Sequence, residues 1–247
     1  MRMILVFLVL IQLLFSCKKT SERNCWKGAG ENSDTLISVP DFTKLYLYEN
    51  LEYVLVQDSL NKIEIVGGRN LLPFIQVSQK NDGTIEVKDL NKCEFLRYKA
   101  SPVKVIIHFK NLTYLTFQGT KKLTNLDTLR LSNFQFFMKD GGGSIHLNLN
   151  ISSTLLGYNT HGAGDFTLDG FAQKATFNIM TLGSCDTRKL KIGNTISIVS
   201  NANAPCFVNG NNTELKAEIT GQGNIYYTGA PTSLITHLNG AGKVLPY

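Results

Sequence analysis

Apolar and polar residues alternate along most of this chain from Phe42 onward. Runs with an apolar residue at every second position recur around Leu45, Val54, Ile63 and Ile85. Alternation with a period of two is typical of β-strands that bury one face. Outside the N-terminal apolar segment, no stretch shows the apolar spacing of an amphipathic helix. The pattern therefore predicts an all-β fold.

A glycine-containing turn followed by an alternating strand recurs through the second half of the chain. The copies are Gly141–Leu147, His161–Leu168, Gly183–Thr187, Asn203–Phe207, Gly221–Tyr227 and Gly240–Val244. Aligning the residue before each strand gives positions 144, 165, 186, 206, 224 and 243, with steps of 18 to 21 residues. A period near twenty is typical of a solenoid. The predicted fold is therefore a single-stranded right-handed parallel β-helix whose coils stack on one another.

The glycines predict sharp corners between strands, because residues with positive φ are least costly when they are glycine. One copy, Asn203-Ala204-Pro205, has no glycine at this place. It is expected to bend differently, with a Cys206 disulfide as one means of holding the bend.

The first 17 residues have the pattern of an export signal. Met1–Met3 carries one positive charge, Ile4–Phe15 is almost wholly apolar, and a cysteine follows at Cys17. The apolar segment is short for a membrane span and typical of a signal peptide. The Leu-Phe-Ser-Cys ending resembles a bacterial lipobox, so lipidation of Cys17 is expected, an ordinary signal peptide being the alternative. The predicted organisation is a signal peptide over residues 1–16, a polar tether over 17–41 and one β-helical domain over 42–247.

Four cysteines remain if Cys17 is lipidated. An even number in an exported chain suggests disulfides. Cys185 and Cys206 lie 21 residues apart, one coil, so they are expected on adjacent rungs within disulfide reach. By elimination Cys25 is then paired with Cys93, and the alternative for each pair is two reduced, buried thiols.

Charge and composition argue against a nucleic-acid ligand. Lys and Arg number 25 against 19 Asp and Glu, and this mild excess is spread along the chain without a basic cluster among aromatics. No Cys-x-x-Cys, Cys/His cluster or nucleotide-binding loop is present, so no metal or cofactor is expected.

Candidate catalytic chemistry is sparse. The proposed alignment stacks Asp165 on Asp186, and two stacked acids could hold a cation or act as an acid–base pair. Aspartate is also common in turns, where it accepts backbone N–H bonds. The four histidines fall in different coils without a partner at nucleophile or metal spacing. No catalytic residue is assigned, and Asp165 and Asp186 remain turn residues or candidate ligands.

Aromatic residues give a stronger indication of binding. Several tyrosines, among them Tyr46, Tyr48, Tyr158 and Tyr226, could include an exposed stripe suited to stacking on sugars. The run Phe134-Gln135-Phe136-Phe137 cannot point wholly inward in a regular strand. Either one ring marks an exposed patch or the segment leaves the regular coil, and burial of the rings in the core is the alternative to both.

Several segments together resemble a known family of lipoproteins. They are the lipobox start, the Cys25 segment, Phe42–Leu47, Val54–Asp58, Asn70–Pro73, Asn91–Tyr98, Gly162–Asp165 and Gly221–Pro231. The resemblance is to the auto-transporter adhesin head, or GIN, domain, formerly DUF2807. It covers about Phe42 to the C-terminus, and Gly-x-Gly-Asn-Ile-Tyr-Tyr-x-Gly is its most specific part. The resemblance implies a β-helical fold and export to a Gram-negative envelope, and it brings no catalytic residues.

The sequence therefore predicts a non-enzymatic outer-membrane lipoprotein of the cell envelope, facing either the periplasm or the medium. Its partners are expected to be the membrane, through the lipid, and a glycan or an envelope or host protein. One alternative is a polysaccharide-active β-helix enzyme that uses Asp165 and Asp186. Another is a structural scaffold in an envelope complex.

Overall fold

The computed structural model describes residues 28–48, 50–91, 102–180 and 182–247. The signal peptide, the lipobox Cys17, and both Cys25 and Cys93 lie outside the described residues, so their predicted roles stay predictions. About 61% of the described residues are in strands, which form a β-solenoid of about six turns with about 21 residues per turn. The predicted fold class is confirmed. No helix in the described ranges has the length and apolar character needed to span a membrane.

The described residues form twenty strands. The first seven are β1 (Asn32–Ser38), β2 (Lys44–Tyr48), β3 (Glu52–Gln57), β4 (Lys62–Gly68), β5 (Ile75–Gln79), β6 (Ile85–Asp89) and β7 (Lys104–Phe109). The next seven are β8 (Tyr114–Gln118), β9 (Lys122–Asn125), β10 (Leu129–Leu131), β11 (Phe134–Met138), β12 (Ser144–Asn159), β13 (Phe166–Ile179) and β14 (Cys185–Thr187). The last six are β15 (Leu190–Ser200), β16 (Cys206–Asn209), β17 (Glu214–Ile219), β18 (Ile225–Thr228), β19 (Ser233–Leu238) and β20 (Val244–Pro246).

The parallel coils build two long faces and a short third one. Face A runs from β6 through β2, β8 and β11 to the second halves of β12, β13 and β15, and then to β17 and β19. Face B runs from β7 through β3 and β9 to the first parts of β12 and β13, and then to β14, β16, β18 and β20. The third face joins β10 to the middle of β12 and β13 and the start of β15.

The N-terminal end departs from a purely parallel helix. Strands β1, β4 and β7 pair antiparallel, and β5 and β6 form an antiparallel hairpin across the turn at Asn81-Asp82-Gly83. A 3₁₀ turn at Leu72–Phe74 precedes that hairpin. Strand β1 lies within the segment expected to be tether. Its side chains are mostly exposed, so its sequence has little of the apolar alternation that marks the other strands.

Inward-facing side chains stack in columns along the solenoid and form one continuous core. In β11, Phe134 and Phe136 are buried, whereas Phe137 points outward and is partly exposed. Phe136 packs against Phe134 and Phe166 with ring centroids 6.2 and 5.3 Å apart. The strand is regular, so of the alternatives left open for this run the structure has two rings in the core and one ring, Phe137, turned outward.

The corner glycines are required mainly for space. Of the corner positions only Gly162 has a positive φ, at 100°. At Gly143, Gly223 and Gly242 an added Cβ would come within 3.0 Å of a backbone oxygen of the preceding coil. The stacking of coils about 4.8 Å apart leaves no room for a side chain there. The explanation by positive φ therefore holds at one corner and is wrong for these three.

The coil with Asn203-Ala204-Pro205 stacks against a glycine corner of the next coil. Gly223 N donates to the Ala202 carbonyl at 2.8 Å, and Gly221 and Gly223 stack directly over Ala202 and Ala204. The different bend expected of this coil stays a prediction. Because the corner needs little side-chain volume rather than positive φ, alanine can serve in it.

The cysteine pair of the solenoid lies on adjacent rungs as predicted. Cys185 on β14 is directly opposite Cys206 on β16, and both are buried. The expected disulfide is not formed in the structure, where both thiols are free. In an in-register parallel pair the two side chains project in the same direction, so adjacency alone does not aim one sulfur at the other. Burial raises the pKa of the Cys185 thiol well above its usual range, which keeps it protonated and unreactive.

Candidate functional site

An aromatic patch covers the outer side of face A near its N-terminal half. It consists of Tyr46, Tyr48, Tyr114, Phe137 and Tyr158, all partly exposed. Strand alternation turns these rings outward while their neighbours in sequence enter the core. Parallel in-register pairing then brings rings from four coils together on one side of the sheet.

The rings of the aromatic patch are ordered against one another. Phe137 and Tyr158 stack with centroids 4.6 Å apart and planes 7° from parallel. Tyr46 and Tyr48 stack at 4.3 Å and 12°, and Tyr114 leans on Phe137 at 5.3 Å. Ordered rings lose little side-chain entropy when a ligand binds, which favours their use as contact residues.

A charged cluster borders the tyrosines of the aromatic patch. Glu86, only 7% exposed, accepts from Lys80 at 2.6 Å and Lys88 at 3.0 Å, and the Tyr48 hydroxyl donates to it at 3.0 Å. Burial raises the pKa of Glu86, but the hydrogen bonds from these three groups outweigh it, and the pKa lies below its usual value. The ammonium groups of Lys80 and Lys88 lie 4.8 and 4.7 Å from the ring centres of Tyr46 and Tyr48. The cluster holds the two rings and the two cations in one arrangement.

This cluster makes stability depend on pH in a defined direction. Because folding lowers the pKa of Glu86, its contribution is complete above the unfolded-state pKa and is lost as the pH falls through the folded-state pKa. We expect Glu86→Gln to destabilise the protein by about 2 kcal/mol at pH 7, and the difference to shrink as the pH falls through the lowered folded-state pKa of Glu86. Urea unfolding at a series of pH values measures this.

The matched control for that prediction is Glu64→Gln. Glu64 lies on β4 and has no ion-pair partner within the described part of the chain. Its substitution should change the unfolding free energy by less than about 0.5 kcal/mol. If Glu86→Gln lowered the free energy of unfolding by the same amount at pH 7 and at pH 3, that would contradict the stabilising role of the ionised carboxylate.

Asp165 and Asp186 do not stack on each other. Phe166 pairs with Cys185, so the residue over Asp165 is Ser184, two positions before Asp186. The Ser184 N–H and hydroxyl both donate to Asp165 Oδ1, at 2.6 and 2.9 Å. The predicted stacking is wrong because the step between these coils is 19 residues at the corner and not 21. Asp165 acts as a turn acceptor in this geometry.

Asp186 belongs to a second cluster, on face B. Arg188 Nη2 donates to Asp186 Oδ2 at 2.6 Å and its Nε donates to Oδ1 at 3.0 Å. The guanidinium lies over the rings of both Phe207 and Tyr247, 4.8 and 4.9 Å from their centres. The hydrogen bonds from Arg188 hold the pKa of Asp186 below its usual range. A carboxylate tied to a guanidinium in this way is poorly suited to proton transfer.

Two histidines pair with aspartates, which the sequence spacing does not predict. His108 Nδ1 lies 3.0 Å from Asp58 Oδ2, and His146 Nε2 lies 3.2 Å from Asp169 Oδ2. The partners are 50 and 23 residues apart and meet only through strand pairing. In the described ranges no group of three or more His, Cys, Asp or Glu side chains is arranged to hold a metal ion.

Residues 41–231 match the family model described as "putative auto-transporter adhesin, head GIN domain". Similar solved structures include a putative adhesin from Bacteroides fragilis, with 21% identity, a TM-score of 0.76, and coverage of 88% of this chain and 97% of that one. A putative adhesin from Parabacteroides merdae has 20% identity, a TM-score of 0.60 and coverage of 89% and 98%.

A putative lipid binding protein from Parabacteroides distasonis has 16% identity, a TM-score of 0.66 and coverage of 89% and 98%. At these identities the likeness shows the fold alone. No curated protein matches the chain. Since the family model spans more than three quarters of the sequence, the chain belongs to the putative auto-transporter adhesin, head GIN domain, family.

Proposed function

We propose that this protein is a non-enzymatic adhesin of the cell envelope that binds an extended glycan across the aromatic patch of face A. The adhesin descriptions of its family and of two similar structures support the adhesion-type role. The proposal of a glycan as the ligand rests on one observation, the outward rings that stack on one another along a parallel sheet. Both Asp residues considered for catalysis, Asp165 and Asp186, are engaged by neighbours, which favours binding over polysaccharide cleavage.

The chemistry of the aromatic patch suits a sugar polymer. Tyrosine offers an apolar ring and a polar hydroxyl, and a sugar offers apolar C–H faces and hydroxyl groups. The Tyr46 hydroxyl donates to Gln118 at 3.1 Å, and Lys80, Lys88 and Glu86 line the same border. The surface spans several coils of a parallel sheet, so it fits a ligand that extends along the solenoid.

The N-terminal sequence supports presentation of this surface on a membrane. A signal peptide over residues 1–16 followed by acylation at Cys17 would tether the domain to the outer membrane, since several buried acyl chains anchor a protein firmly. Incorporation of a labelled fatty acid into the full chain, abolished in Cys17→Ala, reports this anchor.

The test begins with a printed array of bacterial and host polysaccharides probed with the full chain. The polysaccharide with the strongest signal is then titrated by calorimetry against the parent protein, Phe137→Ala and Tyr158→Ala. We expect each substitution to weaken binding at least tenfold, about 1.4 kcal/mol, because each removes a central aromatic contact.

Phe207→Ala is the matched control, because it removes an aromatic ring of similar exposure from face B. Its affinity should stay within twofold of the parent. Binding that survives both face A substitutions would place the ligand elsewhere, and the absence of any glycan ligand would remove this ligand class. Shortening of the bound polysaccharide during incubation would contradict the non-enzymatic role.

A further inference from the structure

The last coil of the solenoid leaves one strand edge open. Strand β19 pairs with β17 on one side, and in the described part of the chain no strand pairs with its other side. Asn239 N donates to the Ile219 carbonyl at 2.8 Å, and Ile219 is opposite Leu238. In a parallel pair, successive residues of a strand point their backbone N–H and C=O groups to opposite sides. Because Asn239 points toward β17, the backbone groups of Leu234, Thr236 and Leu238 point away from it. The N–H and C=O groups of these three alternate residues therefore face outward.

The same three residues carry the uncovered end of the core. Leu234, Thr236 and Leu238 continue the inward columns of Leu215, Ala217 and Ile219, which are buried. Leu234 is 43% exposed and Leu238 is 50% exposed, although both occupy core positions. Apolar side chains and unpaired backbone groups thus lie on one edge, which is the arrangement that promotes pairing with another strand.

The other strand of this coil is protected. Tyr247 N donates to the Tyr227 carbonyl at 2.8 Å and Tyr227 is opposite Pro246, so Val244 and Pro246 face away from β18. Proline has no N–H to donate, so this edge is less able to pair with another strand. Strand β19 has no proline, and it carries no Lys, Arg, Asp or Glu. It is the edge of this coil that is free to extend the sheet.

We propose that β19 pairs antiparallel with β19 of a second copy of this chain, about a two-fold axis at Thr236. The sequence Leu-x-Thr-x-Leu reads the same in both directions around that residue. In this register Leu234 lies opposite Leu238 of the partner subunit and Thr236 lies opposite Thr236 of the partner subunit. The three outward residues become hydrogen-bonded pairs, and the two cores join end to end.

A second copy suits this edge better than an unrelated strand. The palindromic spacing makes the edge complementary to itself, as an isologous interface requires. The last coil runs from Ser233 to Tyr247, which is fewer residues than the roughly 20 to 30 a side of a standard interface. The pairing is therefore a concentration-dependent dimer, and it joins two copies of face A into one longer surface with two aromatic patches.

Cysteine cross-linking tests the register in the full chain. Hydrogen-bonded antiparallel partners have Cα atoms about 5.5 Å apart, so Thr236→Cys should give a covalent dimer with a short bis-maleimide, well above the background of the parent. Leu234→Cys or Leu238→Cys alone should not, because each lies several residues from its own copy across the axis. A mixture of those two variants should cross-link. Equal cross-linking at all three positions, or none at 236, would overturn the proposal.

Sedimentation of the purified full chain in detergent tests the association itself. The parent should shift from monomer to dimer as its concentration rises. Thr236→Lys, which places two like charges on the axis, should remain monomeric over the same range and keep the thermal unfolding midpoint of the monomer. A parent that stays monomeric throughout, or cross-links at 236 only to a different protein, would contradict pairing between copies. So would a dimer that survives Thr236→Lys.

Discussion

Phe136→Ala is expected to lower the free energy of unfolding by about 4 kcal/mol, as truncation of a fully buried phenylalanine does. Phe136 is 0% exposed and packs against Phe134 and Phe166. It also fills the space beside Gly157, where an added Cβ would meet its ring within 3.0 Å. No smaller side chain could refill this volume, so a cavity remains between coils.

The measurement is denaturant unfolding together with calorimetry. For a chain of this size the loss corresponds to a fall in Tm of about 8 to 16 °C. Phe137→Ala is the matched control one position along the same strand. Its ring is partly exposed and stacks on Tyr158, so its removal should cost about 1 kcal/mol. Equal losses for the two variants would contradict the assignment of Phe136 to the core and Phe137 to the surface.

Gly143→Ala should destabilise the protein by about 3 kcal/mol through overpacking. The new methyl group would meet the carbonyl oxygens of Lys121 and Gly119 in the coil beneath. Gly143 N already donates to Gly119 O at 3.0 Å, which fixes the distance between these backbones. Backbone atoms cannot move aside as a flexible side chain can, so the coils must separate.

Gly142→Ala, in the same run of three glycines, is the control. An added Cβ there meets nothing within 4 Å, and the residue is not in the positive-φ region. Its effect on the unfolding free energy should stay within about 0.5 kcal/mol. A similar loss at both positions in urea unfolding would show that flexibility of the corner, and not space between coils, explains the glycines.

Strand β11 shows what the sequence predicts about a strand and what it does not predict. Alternation identifies β11 as a strand and indicates that Phe134, Phe136 and Phe137 cannot share one face. Alternation does not predict which of these rings points outward, or which residues contact Phe137 on the outer surface. Tyr114 and Tyr158 are its neighbours because strand pairing brings them from the preceding and following coils.

By itself, the sequence determined the all-β class, the coil length near twenty residues, the adjacency of Cys185 and Cys206, and the position of the corners. Each follows from a local period, because side-chain alternation and coil stacking repeat along the chain. Apart from the mostly exposed β1, the antiparallel strands at the N-terminal end carry the same alternation as the parallel ones, so their direction could not be told from it.

Only the tertiary structure decided which outward residues meet. The steps between coils vary by two or three residues, and a shift of that size at one corner replaces Asp186 by Ser184 as the neighbour of Asp165. Charged and aromatic clusters such as Glu86 with Tyr48 depend on that register across coils far apart in sequence. The aromatic patch and the open edge of β19 are therefore properties of the stacked solenoid, although each of their residues can be read in the chain.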